Sequence, residues 1–152
     1  MKQLQVGDAA PVFTAIVQKG NTISSTSLKG KKWVVYFYPK DNTPGCTAQA
    51  CSLRDGFEDL RSKGIEVFGV SADSLSSHQK FSDKFDLPFS LLVDEDKEII
   101  HAFGVWGPKK FMGKEYDGIH RTTFLIDENF TIISVLSKPN TKDHATEILQ
   151  HF

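Results

Sequence analysis

The run WVVYFY, Trp33 to Tyr38, goes six residues without a polar gap. A strand with one wet face alternates apolar and polar residues, so an unbroken apolar, aromatic run predicts a strand buried on both faces. Such a strand needs packed layers on each side of its sheet. Lys29-Gly30-Lys31-Lys32 breaks the chain just before it, and Pro39 ends it. From Thr43 the period changes. Cys46, Ala50, Leu53, Phe57 and Leu60 follow at spacings of four, three, four and three, an apolar helical stripe that Gly64 closes.

The remaining segments continue the alternation. Val12 to Val17 predicts a short edge strand with a turn at Lys19-Gly20-Asn21, and Ile65 to Val70 a second core strand. Leu75, His78, Phe81 and Phe85 outline a helix ended by Leu87-Pro88. Phe89 to Val93 is a third core strand, and Asp94-Glu95-Asp96 starts a short helix running to about Phe103. An irregular Gly-rich stretch, GVWGPKKFMGKEYDG, follows. Ile119 to Ile126 and Thr131 to Leu136 read as a hairpin around Asp127-Glu128-Asn129, and Ala145, Ile148, Leu149 and Phe152 as an amphipathic C-terminal helix. The order predicts an α/β fold with a mixed central sheet and helices on both faces.

With 152 residues, no repeat and no low-complexity linker, the chain reads as one domain, 1–152. Net charge is −1 with basic residues dispersed, which gives no electrostatic footprint for nucleic acid or anionic membrane. No apolar run approaches the ~20 residues of a membrane span, and the start, MKQLQVGDAAPVF, is not a signal peptide. A cytoplasmic address follows, where cysteines are more often redox-active or reduced than structural staples. The five histidines, at 78, 101, 120, 144 and 151, lack metal-ligand spacing and read as surface or packing residues.

The only two cysteines, Cys46 and Cys51, are five apart. That is too wide for C-x-x-C and too few thiols for a four-cysteine zinc site. Thr43 suits an N-cap, Pro44 the first helical position, and Gly45 a close backbone approach. Cys46 then lies in the first helical turn, where unpaired N–H groups and the dipole favour a thiolate. The alternative is a small core residue on the stripe. Five helical residues give about 7.5 Å of rise and about 140° of rotation, hence roughly 8.5 Å between the Cα atoms. A disulfide reaches only ~7 Å, so Cys51 is either an incidental thiol or one that meets Cys46 after local unwinding.

Pro39, Thr43 and Cys46 fit the P-x-x-x-T-x-x-C signature of peroxiredoxins. TPGCTAQAC resembles the peroxiredoxin Q, or bacterioferritin comigratory protein, branch, as do VGDAAPVF, GVSADS and FGVWGPKKFMGKEYDGIHRTTFLID. The resemblance implies a thioredoxin-like fold with an N-terminal extension and a thiol peroxidase acting on hydrogen peroxide or organic hydroperoxides. It makes Cys46 the peroxidatic nucleophile and Cys51 the resolving cysteine of an intramolecular disulfide. Thr43 would bind the peroxide, Pro39 would shield the site, and Arg121 would hold thiolate and peroxide, beside the backbone of Gly45. Gln49 stands where many relatives carry glutamate and is left outside the catalytic set. Thioredoxin or a similar dithiol would be the reductant, no metal or organic cofactor is needed, and an internal resolving cysteine implies a monomer.

Ionisation alone does not make such a peroxidase. A cysteine of pKa near 8.5 is already about 3% thiolate at pH 7, so full ionisation gains at most ~30-fold. The rest must come from aligning the O–O bond and stabilising the departing oxygen, for which Arg121 offers a rigid, permanently charged fork. The competing function is a thioredoxin-like disulfide carrier or redox sensor, which would use C-x-x-C and need neither Thr43 nor Arg121. A binding module with inert cysteines is the third.

Overall fold

The computed structural model describes residues 2–152. The strands are β1 (Thr14–Val17), β2 (Thr22–Ser24), β3 (Lys32–Phe37), β4 (Ile65–Ser71), β5 (Ser90–Val93), β6 (Trp106–Phe111), β7 (Lys114–Ile119), β8 (Thr122–Ile126) and β9 (Ile132–Leu136). The α-helices are α1 (Pro44–Asp55), α2 (Phe57–Ser62), α3 (Leu75–Phe85), α4 (Glu98–Phe103) and α5 (His144–His151). Seven strands form one mixed sheet in the order β2-β1-β5-β4-β3-β8-β9, with β3, β4 and β5 parallel and β8 antiparallel to β3.

The unbroken run on β3 divides between two cores, as its composition requires. Trp33, Val35 and Phe37 enter a cluster with Ile99, Ile100 and Phe103 of α4. Val34, Tyr36 and Tyr38 enter another with Leu53, Leu60, Phe81 and Ile148, so α1, α2, α3 and α5 cover that face. Each such side chain contributes ~1.5–3 kcal/mol by leaving water. The N-terminal segment lies along the molecule before β1, bonding Leu4 N to Phe103 O and Gly7 N to Ile132 O. Among the described residues, no helix is long and apolar enough to cross a membrane.

Three expectations need correction. The helix expected to run from Thr43 to Gly64 is two helices, parted at Gly56. A Cβ there would come within 2.3 Å of the Ala145 Cβ, so the close crossing of α5 accounts for the glycine. The Gly-rich stretch expected to be irregular is the β6–β7 hairpin, a separate two-stranded sheet turning at Met112 and Gly113, both at positive φ. The strand expected from Ile119 is cut after it: β7 ends at Ile119 and β8 begins at Thr122, leaving His120 and Arg121 as a joint. The β1–β2 hairpin also adds a strand the sequence reading did not place.

Candidate active site

Helix α1 opens directly beyond the buried end of β3. Thr43 is its N-cap in extended conformation and Pro44 stands in its first turn. The Thr43 side chain does not close the cap; its Oγ1 donates to Lys40 O at 2.9 Å. The hydroxyl proton is thus committed to the loop, while the oxygen lone pairs are left for another donor. Pro39 is half-buried between β3 and this loop.

Cys46 lies in the first turn of α1 and is 2% exposed, packed with Tyr36, Tyr38 and Ala50. Both cysteines are free, and Cys51 is half-buried one and a half turns later on the same helix. The helix is continuous between them, so bringing the sulfurs together requires that it unwind.

Arg121 reaches this turn from the opposite side of the chain. Thr122 pairs with Phe37 across β8 and β3, so the joint residue before it sits at the end of β3 where α1 starts. The guanidinium Nη2 lies 3.3 Å from Cys46 Sγ, and Nη1 donates to Gln49 Oε1 at 2.7 Å. A Cβ on Gly45 would stand 3.1 Å from Nη2, so the close approach that glycine permits is to Arg121. The joint itself is tied down by His120 N donating to Val105 O and by His120 Nε2 donating to Pro108 O. Lys109 donates to Ile119 O, and burial, then the charge of Arg121, pushes its ammonium pKa down.

The expected residues Thr43, Gly45, Cys46 and Arg121 therefore converge on the first turn of α1. Cys51 shares the helix but not the cluster. Gln49, set aside in the sequence reading, is fully buried and holds the guanidinium, while its own Nε2 has no partner among the described residues.

A second cluster lies under the loop between β3 and α1. Asp41 Oδ1 accepts from Tyr38 Oη at 2.5 Å, and Oδ2 accepts from Ser77 Oγ at 2.8 Å and faces His78 Nδ1 at 2.6 Å. Asp41 N donates to Asp73 Oδ2, which also accepts from Ser71 Oγ. Asp41, Asp73 and His78 present atoms within 4.8 Å of one another, a spacing that invites a metal. The oxygens and nitrogens concerned are already engaged with Tyr38, Ser77, Ser71 and one another, so the cluster is an internal network. The one sequence signal for it was His78 on the apolar stripe of α3, since a histidine at a core position needs partners.

Over residues 6–135 the chain matches the model of the AhpC/TSA family. The chain belongs to that family. Peroxiredoxin Bcp of Escherichia coli strain K12 is 46% identical over 149 residues, covering 98% of this chain and 96% of that protein. Peroxiredoxin Bcp of Bacillus subtilis strain 168 is 46% identical over 147 residues, covering 97% and 94%. A cysteine-to-serine variant of PrxQ from Xylella fastidiosa superposes with a TM-score of 0.91 at 28% identity, covering 99% of this chain and 96% of that one. Within the AhpC/TSA family the chain is thus a peroxiredoxin of the Bcp and Q kind, on a thioredoxin-like fold. Peroxiredoxins are thiol peroxidases, and the convergence of Cys46 and Arg121 lies inside the region matched.

Proposed function

We propose that this peroxiredoxin reduces hydroperoxides through Cys46 and resolves the product internally with Cys51. The observation that carries the reading is the Arg121 guanidinium, held by Gln49 and directed at the Cys46 sulfur within a turn that also offers backbone N–H donors. Cys46 thiolate attacks one oxygen of the hydroperoxide. An S–O bond forms, the O–O bond breaks, and the departing oxygen takes a proton to leave as water or alcohol. Arg121 is a donor only, so it stabilises negative charge on the sulfur and then on the departing oxygen. Thr43, with its own proton bonded to Lys40 O, accepts from the peroxide O–H.

The Cys46 sulfenic acid then condenses with Cys51, losing water and forming the disulfide, after the first turns of α1 have opened. A dithiol, thioredoxin or a protein like it, reduces the disulfide by exchange, and the helix closes again. Pro39, half-buried beside the loop, limits water at the site, and one chain holds every protein group that the peroxide-reducing and resolving steps use.

Stopped-flow consumption of hydrogen peroxide with a thioredoxin system tests the cycle. Cys46→Ser is expected to consume none, whereas Cys51→Ser consumes about one equivalent and stalls. Sustained turnover by Cys46→Ser would overturn the assignment of the nucleophile. Sustained turnover by Cys51→Ser would overturn the internal resolution.

A further inference from the structure

We infer that the buried Asp41–His78 pair is a positioning latch: it fixes the loop that carries Thr43, and so sets peroxide binding without touching the peroxide. The inference rests on the proposed peroxidase cycle and adds residues to it. Loop 38–43 is the segment whose carbonyl, at Lys40, orients the Thr43 hydroxyl. It includes a strained residue, Asn42 at φ 60, which persists only where its surroundings hold it.

Asp41 supplies that hold. It bonds to four separate residues, Tyr38 at the start of the loop, Asp73 after β4, and Ser77 and His78 on α3. His78 in turn is anchored to the sheet, with Nε2 donating to Leu92 O on β5 at 2.8 Å. Because that carbonyl only accepts, Nε2 carries a proton. Because Nδ1 faces a carboxylate at 2.6 Å, a second proton must lie between His78 and Asp41. The loop is therefore fastened by one shared proton in a site where both side chains are nearly or fully buried.

The titration follows the same geometry. Burial pushes the His78 pKa down, but the hydrogen bond and charge of Asp41, with the Leu92 carbonyl and the charge of Asp73, more than offset it, and the net shift is upward. The groups facing the pair are Tyr38 just after β3, Asp73 just after β4, the Leu92 carbonyl from β5 and Ser77 from α3. Lys80 and Lys84 rim a cavity of about 320 Å3 that opens beside Asp41 and gives solvent a route to it. When the shared proton leaves, two acceptors face each other at hydrogen-bond distance and the loop loses its tie to His78, keeping those to Tyr38, Ser77 and Asp73. Thr43 is then less firmly placed, while Cys46, held from the other side by Arg121, keeps its position.

The test separates peroxide binding from thiol reactivity. Rates of Cys46 oxidation by hydrogen peroxide and of its alkylation by iodoacetamide are measured for the wild type, Asp41→Asn, His78→Gln, Thr43→Val and Asp41→Asn/Thr43→Val. The latch predicts that Asp41→Asn and His78→Gln slow peroxide oxidation by at least about tenfold and change alkylation by less than about twofold. It also predicts that Asp41→Asn costs nothing further in the Thr43→Val background, the signature of acting through Thr43. Equal losses in both reactions, or additive losses with Thr43→Val, would mean general destabilisation and overturn the proposal. If the variants do not fold, the wild type decides by NMR: the Thr43 amide must titrate with the midpoint of the His78 ring. A Thr43 amide indifferent to His78 overturns the latch. A wild type without peroxidase activity would overturn the cycle itself, a different outcome from either.

Discussion

The two ends of α1 are fastened by different chemistry. At the N-terminal end, Asp41 of the lead-in loop is bolted to His78, whose ring shares a proton with a carboxylate. At the C-terminal end, Ser52 Oγ accepts from His144 N, and Gly56 lies against Ala145, so the fastening is α5. His144 is also fully buried, but its partners select the opposite state. Its Nδ1 donates to Glu147 and its Nε2 accepts from Thr123 Oγ1, which fits a neutral ring, and burial pushes its pKa down despite Glu147. The end that carries Thr43 and Cys46 is held by the Asp41–His78 pair with its shared proton, and the end that carries Cys51 by a neutral histidine. The two ends of a single helix are therefore held by histidines in different protonation states.

The largest effect that tests this division is on the first turn. Arg121→Met removes a charged donor at the sulfur and should slow Cys46 oxidation by about 10²–10³, as loss of one such donor does elsewhere. Helical circular dichroism should stay unchanged. A rate within a few-fold of wild type would break the claim that the first turn is organised by Arg121. Next in size, formation of the Cys46–Cys51 disulfide should accelerate amide exchange across Thr43–Leu53 and lower the helical signal. Unchanged exchange in a verified disulfide would contradict the unwinding that the continuous helix demands.

Smaller effects are expected at the other fastening. Gly56→Val places atoms where Ala145 already stands, so α5 must lift; we expect a loss of ~1–3 kcal/mol in urea denaturation. Smallest is the pH effect. A histidine whose folded pKa is depressed contributes stability that is present above its unfolded value near 6.5 and is lost as pH falls through the folded one. The His144 contribution should fall on acidification from pH 7.5, and His144→Gln should remove that component of the pH profile. The raised pKa of His78 works the other way: its contribution is complete below the unfolded value and is lost as pH rises through the folded one. A His144→Gln variant with a pH profile parallel to wild type would blunt the contrast between the two ends.

Much of this arrangement was legible in the sequence, and the exceptions have physical causes. WVVYFY announced β3 because both of its faces are covered, and Cys46 announced the first turn because Pro44 and Thr43 precede it. The break at Gly56 was hidden because Phe57 and Leu60 continue the helical spacing across it. The β6–β7 hairpin was hidden because residues 110 to 117 are all exposed, so no alternation of burial marks the strands. The joint at His120-Arg121 was masked because Ile119 before it and the strand-forming run Thr122 to Ile126 after it read as one strand, although the joint is what turns Arg121 toward the thiol. Asp41 and His78 are 37 residues apart, and no local pattern pairs them. Gln49 was noticed for the charge it lacks; its bond to Arg121 needed the fold.

The Thr43 hydroxyl, with its proton spent on Lys40, has one further consequence. In the proposed cycle the peroxide meets an acceptor at Thr43 and donors at Arg121. A hydroperoxide answers both, giving its O–H to one and receiving from the other. A dialkyl peroxide has no proton to give, so the proposed cycle predicts turnover of ROOH and none of ROOR. Selectivity of this kind lies in the direction of one hydrogen bond.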